Sequence, residues 1–249
     1  EIDAVVLSHA PIDHAGRLPL LAKLGYANTI FCTPATRDLC AVMLADSAHI
    51  QEHDAEFLAR RHKTSMPPLY TMRDAEETLT HLKSLDYQQW IEPGPGVRAR
   101  YWNAGHILGS ASIEVEIADG DKKVTILFSG DLGPDEKVFY KAPDAPSGFD
   151  YILSESTYGG RERTDYTLEE RREALKTEIN TALQRGGNLV IPAFAVERSQ
   201  ELLHDIGLLI KEKAISPSRV FLDSSLASKV TAVYRKYESM FDDVELSAA

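Results

Sequence analysis

Three short segments hold most of the side chains that could bind a metal ion. Residues 8–16 (SHAPIDHAG) offer His9, Asp13 and His14 within one loop, residues 103–110 (NAGHILGS) offer His106, and residues 129–133 (SGDLG) offer Asp131. Imidazole and carboxylate are the donors that suit zinc and related first-row ions. Glycines flank His106 and Asp131 closely and would let the backbone approach a shared site. Taken alone, His106 reads as a surface or satisfied core histidine sooner than as a ligand, and Asp131 as a turn cap sooner than as a ligand. Three ligand types crowded into one loop after an apolar run are harder to explain by structure alone. His49, His53, His62, His81 and His204 sit in polar helical contexts and read as solvated.

The elements around these loops follow from pattern. Residues 2–7 (IDAVVL) have the length and β-branched content of a core strand, so the first loop leads from a strand into a helix over 17–24. Residues 29–33 suggest a second strand, 36–61 one long helix or two interrupted by Pro67-Pro68, and 74–85 another helix. Gly94-Pro95-Gly96 marks a turn. Strands are then expected at 97–102, 112–117, 123–128 and 151–153, with Asp119-Gly120-Asp121 as a hairpin signal. After Gly159-Gly160 the texture changes. A Thr167/Glu170 capping box opens a charged helix over 167–185, and strand 188–193, helix 197–213, strand 219–222 and helix 226–241 follow. Alternating strand and helix predicts an α/β architecture with a parallel sheet, in which 188–193 and 219–222 are neighbouring parallel strands. A domain boundary is expected near Gly160.

Composition narrows the function classes. The 249 residues carry 27 Lys+Arg against 38 Asp+Glu, a formal charge of −11, with 43% hydrophobic and 26% charged residues. That is a folding composition, long enough for one large domain or two smaller ones. Apolar runs such as 4–7 and 124–128 fall far short of the roughly 18 residues that cross a bilayer. Cys32 and Cys40 cannot build a disulfide framework and read as core residues, and no secretory signal opens the chain, so the expectation is cytoplasmic, without a membrane. The acidic excess argues against a broad nucleic-acid surface, so a polyanion would be met locally, at a metal or a small basic patch. The chain opens on a strand and stops after the start of an apolar run at 244–249, which is expected of a fragment.

These residues resemble a known family. SHAPIDHAG is similar to the His-x-His-x-Asp-His motif of the metallo-β-lactamase fold, GHILGSA to its third motif and FSGDLG to its fourth. SESTYGGR, PAFAVERSQELL and VFLDSSLASKVTAVY resemble the opening of the inserted domain of the β-CASP subfamily. That subfamily includes bacterial and archaeal RNA-processing nucleases and the endonuclease subunit of the eukaryotic pre-mRNA 3′-end cleavage factor. The resemblance implies an incomplete αβ/βα metallo-β-lactamase sandwich over 1–160, lacking its N-terminal strands, followed by the first half of a β-CASP α/β domain with a parallel sheet over 161–249. It makes His9 and His106 ligands of one zinc, Asp13 and His14 ligands of a second, and Asp131 the carboxylate between them, with two Zn2+ expected in the full-length protein. Asp13 would also position the attacking hydroxide, and Glu155 would orient a histidine of the inserted domain. The implied activity is zinc-dependent hydrolysis of phosphodiester bonds in single-stranded RNA. A homodimer is left open.

Two departures bear on that expectation. Pro11 stands where the motif has its second histidine and cannot bind a metal, which leaves His9, His106 and Asp131 for the first zinc. Three protein ligands and a water still make a legitimate catalytic site. The family's later histidines, including a ligand of the second zinc and the general acid, would lie beyond Ala249, and an earlier strand pair before Glu1. The competing reading is a catalytically degraded member that binds RNA or partner subunits without cutting. Among basic residues, Arg60-Arg61-His62-Lys63 reads as a phosphate contact or a solvated helix face, and Arg161, Arg163, Arg171 and Arg172 as contacts near an expected cleft.

Overall fold

The computed structural model describes residues 2–62, 67–135, 137–161 and 167–241. The described residues fall into two compact units: one comprises the chain up to Gly133 together with Pro143–Glu155, the other Pro134–Ala142 and the chain from Ser156.

The first unit holds two sheets. In the three-stranded one, β1 (Val5–Val6), β2 (Ile30–Cys32) and β3 (Leu82–Ser84) are all parallel, with Val5 opposite Ile30 and Ile30 opposite Leu82. Parallel neighbours need helical crossovers. Here α1 (Ile12–Ala15) and α2 (Leu18–Lys23) lead from β1 to β2, and α3 (Pro34–His62) and α4 (Met72–His81) lead from β2 to β3. The five-stranded sheet runs β4 (Ile91–Gly94), β5 (Val97–Asn103), β6 (Ala111–Asp119), β7 (Lys122–Phe128), β8 (Tyr151–Leu153). It is antiparallel except for the parallel β7–β8 pair. Phe31 and Leu85 from the first sheet region pack on Tyr101, Ala111 and Ile113 of the second, so the core lies where the two sheets face each other. Cys32 and Cys40 are free and fully buried, as core residues. The α/β class is therefore present, with a parallel sheet in the first unit.

Two local expectations gave way to tertiary context. The helix expected over 74–85 stops at His81, because Leu82–Ser84 pairs with β2 instead. Residues 36–61 form one helix, not two, within α3.

The second unit is built on α5 (Leu168–Gln184), α6 (Arg198–Lys211) and α7 (Ser225–Lys236). The Thr167/Glu170 capping box forms at α5, with Glu170 N–H donating to Thr167 Oγ1 at 3.2 Å. Residues 134–142 belong here although they precede β8, because Phe139 and Tyr140 pack on Tyr234 and Phe241. The expected parallel strands over 188–193 and 219–222 are not paired as strands. A strand exists only with a ladder partner about 4.8 Å away. These apolar segments instead line a groove of about 660 Å³ against Ile179, Leu203 and Ile206 of the helices, leaving Val190 and Phe221 more than 80% exposed. No helix among the described residues is long and apolar enough to cross a membrane.

Candidate metal centre

All five ligand-type residues, and Glu155, lie in the first unit. His9 stands three residues beyond the end of β1, in a stretch tied to both sheets: Leu7 N–H donates to Phe31 O at 2.9 Å, and Ala111 N–H, opening β6, donates to Ser8 O at 3.0 Å. Pro11, with φ −54°, precedes the first turn of α1 and places Asp13 and His14 on it. The chain can turn there because position 16 is glycine; a Cβ would collide with the Ile12 carbonyl.

The His106 loop is held by hydroxyls. Buried Ser110 accepts the His106 and Ile107 amides at 3.0 and 3.1 Å, and Asn103 Oδ1 accepts the Gly105 amide at 3.0 Å. Thr33 and Thr36 both donate to Gly109 O, at 2.6 and 2.9 Å. Gly109 sits at φ +79°, where an added Cβ would stand 2.6 Å from Thr36 N. The Asp131 loop is pinned to the His106 loop and to the end of β8: Gly133 N–H donates to Ala104 O, Ser129 N–H to Leu153 O, and Glu155 N–H to Ser129 Oγ.

These loops bring the five side chains together. Among the described residues, two groups of three offer donor atoms all within 4.8 Å of one another: His9, His106 and Asp131, and Asp13, His14 and Asp131. Asp131 Oδ2 is 3.6 Å from His9 Nε2 and 3.6 Å from His106 Nε2, while Oδ1 is 3.2 Å from His14 Nε2. His14 Nε2 lies 3.6 Å from Asp13 Oδ2. Tetrahedral donors about 2.0–2.1 Å from an ion stand roughly 3.4 Å apart, so these separations are those of donors around an ion and too long, in three of four cases, for hydrogen bonds.

The donor states agree. His9 is 1% exposed, and its Nε2 is buried without a hydrogen-bond partner, an arrangement that costs free energy unless something else binds that lone pair. Burial, then the neighbouring His14, pushes its pKa down from 6.5 to about 4 against the opposing pull of Asp131. The imidazole is therefore neutral at neutral pH. Its Nδ1 shares a 2.9 Å hydrogen bond with Ser8 Oγ, and a proton on Nδ1 leaves Nε2 free to donate electrons. His106 and Asp131 are about one-third exposed and Asp13 is 74% exposed, so the first trio, buried only at His9, opens toward a wetter second one.

Other sequence expectations fare differently. Glu155 belongs to neither trio; its Oε1 accepts the Leu132 amide at 2.7 Å. Arg171 and Arg172, expected as RNA contacts, instead bind α6: Arg171 reaches Asp205 at 2.6 Å and Glu201 at 3.3 Å, and Arg172 reaches Asp205 at 2.8 Å. Both acids are buried, and a buried carboxylate demands such partners. Arg161 is exposed, Arg60 pairs with Glu56 on an exposed helix face, and Lys63 and Arg163 lie outside the described residues. His49 and His53 are exposed as expected, but His81 is half-buried with its ring edge-on to Tyr26, and His204 is buried against Phe139. Sequence reasoning missed Ser8, Ser110 and Ser129, although each stands inside a motif that carries a ligand.

No model of a known protein family matches the chain. It is 35% identical over 243 residues to ribonuclease TTHA0252 of Thermus thermophilus, an alignment covering 98% of this chain and 51% of that protein. It is 33% identical over 240 residues to transcription termination factor FttA of Methanosarcina mazei, covering 95% of this chain and 36% of that protein. The FttA of Thermococcus kodakarensis is 34% identical over 203 residues, covering 81% and 30%. The chain thus spans about half, or less, of the length of these relatives. A solved B3 metallo-β-lactamase with an active-site glutamic acid aligns with TM-score 0.31 and 16% identity, over 51% of this chain and 40% of that one, which is too distant to inform the site. Similarity to the ribonuclease runs along nearly the whole chain, which is consistent with the β-CASP resemblance of its motifs.

Proposed function

We propose that this chain carries the metal-binding half of a zinc-dependent ribonuclease that cleaves phosphodiester bonds in single-stranded RNA. The observation that carries the reading is the pair of donor trios sharing Asp131, with the buried, neutral His9 presenting a partnerless Nε2. His9, His106 and Asp131 would hold one ion, and Asp13, His14 and Asp131 the other. Imidazole–carboxylate sets of this kind favour zinc. Divalent ions there would supply Lewis acidity, easing deprotonation of water and neutralising charge on a phosphoryl group.

The chain's own residues set the rest. Asp131 keeps its two oxygens turned to different histidines, Oδ2 to His9 and His106 and Oδ1 to His14, so one carboxylate serves both trios. Asp13 is the most exposed acid of the set and is placed to accept a proton from an attacking water at its carboxylate oxygens. The overall acidic charge fits binding of RNA through a local site better than through a broad basic face. The ribonuclease name of the Thermus relative supports RNA as substrate.

Pro11 favours a second reading, a member that binds RNA or partner subunits without cutting, because it removes one imidazole from the first trio. Metal analysis and cleavage of a single-stranded RNA by the full-length protein separate the two. About two zinc ions per chain and cleavage, abolished over orders of magnitude in Asp13→Ala, support the nuclease. Two zinc ions without cleavage support the binding protein, and equal cleavage by wild type and Asp13→Ala excludes this active site.

A further inference from the structure

The acid at the end of β8 has a task inside its own unit. Glu155 Oε1 accepts the amide of Leu132 at 2.7 Å, and Leu132 is the residue after Asp131. The same Glu155 is fixed through its own amide, which donates to Ser129 Oγ at 2.9 Å. Ser129 Oγ in turn donates to Gly130 O at 2.7 Å, and Ser129 O accepts from Ser112 Oγ of β6 at 2.7 Å. Gly130 has a left-handed φ of +57°, so the chain reverses direction just before Asp131. A loop that turns on a glycine would otherwise let its next residues swing; here the peptides on either side of Asp131 are each held by a side chain or backbone partner.

We propose that Glu155 is a positioning residue for Asp131: its carboxylate clamps the Leu132 peptide and thereby aims the one carboxylate that both donor trios share. This inference rests on the metal-centre reading above and adds a residue to it. The clamp needs an acceptor oxygen at that place, not a negative charge. A carboxylate accepting from a backbone N–H is a strong, directional bond, and outer partners of this kind commonly govern metal affinity by tenfold to a hundredfold. Because Asp131 serves both trios, loosening one peptide would weaken both sites together.

Glutamine keeps the acceptor and removes the charge; alanine removes both. Zinc titrations of the chain by calorimetry, with hydrogen exchange at the 129–133 segment as a second readout, test the idea on wild type, Glu155→Gln and Glu155→Ala. The expected result is zinc affinity within about threefold of wild type for Glu155→Gln and a loss of roughly tenfold or more for Glu155→Ala, at both sites. Exchange at Leu132 should stay slow in Glu155→Gln and speed up in Glu155→Ala without metal present, which also shows whether each variant remains folded elsewhere. Equal affinity of wild type and Glu155→Ala, or equal weakness of both variants, overturns the clamp. Failure of the wild-type chain to bind zinc would instead overturn the metal-centre reading, and the unchanged exchange comparison would still report on the clamp itself.

Discussion

Acidifying the metal-free chain should cost stability through His9, by an amount the structure sets. The imidazole is 1% exposed. Burial, with His14 and His106 nearby, holds its pKa at about 4 against the pull of Asp131 and Asp13. In the unfolded chain it titrates near 6.5. Since the folded value is the lower one, the unfolded state takes up the proton first. The stability is whole above pH 6.5, drains away as the pH falls toward 4, and changes no further once both states are protonated. At about 1.4 kcal/mol per pH unit the full loss is about 3 kcal/mol, of which about 1.3 kcal/mol appears between pH 7.5 and 5.5. Urea unfolding in EDTA at those two pH values, on wild type and His9→Asn, isolates the contribution from the many other titrating groups. Wild type should lose about 1.3 kcal/mol more than the variant. Saturating zinc should steepen the wild-type dependence, because an ion binds only the neutral imidazole. Parallel losses in the two metal-free proteins would refute the reasoning, and with it the claim that His9 waits in its neutral form.

Two further substitutions probe the supports. Gly109→Ala would force a side chain into a left-handed backbone and set its Cβ 2.6 Å from Thr36 N and 2.8 Å from Thr33 Oγ1. Urea unfolding should show a loss of about 2–4 kcal/mol, and zinc titration a weakened site through His106; a change below about 0.5 kcal/mol would mean the loop relaxes freely. Asp205→Asn would leave Arg171 and Arg172 without their shared buried carboxylate, and the second unit should lose about 2 kcal/mol in thermal or urea unfolding. Zinc affinity should not move, since none of the five donors belongs to that unit. If instead the variant kept full stability, the two arginines would be free for the RNA role first expected of them.

What the sequence disclosed and what it hid divide along a physical line. The donor cluster was legible because its residues are of ligand type and each follows or borders an apolar run, so type and position together singled out His9, Asp13, His14, His106 and Asp131, which the fold brings within reach of one another. The strands β5 to β8 were legible for the same reason: alternation and turn residues are local. Glu155 was legible as a residue and not as a partner, since nothing in SESTYGG says which amide its carboxylate will meet across 23 positions. The role of Arg171 and Arg172 was hidden in the same way, because a helix shows its charges in sequence but not the buried Asp205 and Glu201 that claim them.

The segments 188–193 and 219–222 mark the sharper limit. Their β-branched, apolar composition states that they need burial on more than one side, which is the pattern of a strand in a covered parallel sheet. Composition cannot state what does the burying. With helices α5 and α6 on one side, Leu189, Ile191 and Phe221 line the groove, yet Phe221, like Val190, stays more than 80% exposed. A periodic pattern thus specifies a demand for contacts, and only the partners present decide whether it is met by a ladder. Residues of ligand type differ in kind: Asp131 and three imidazoles within 3.2–3.6 Å of it form a cluster of donors by themselves, before any partner arrives. That asymmetry is why the chemistry of this chain could be read further from sequence than the architecture of its second unit.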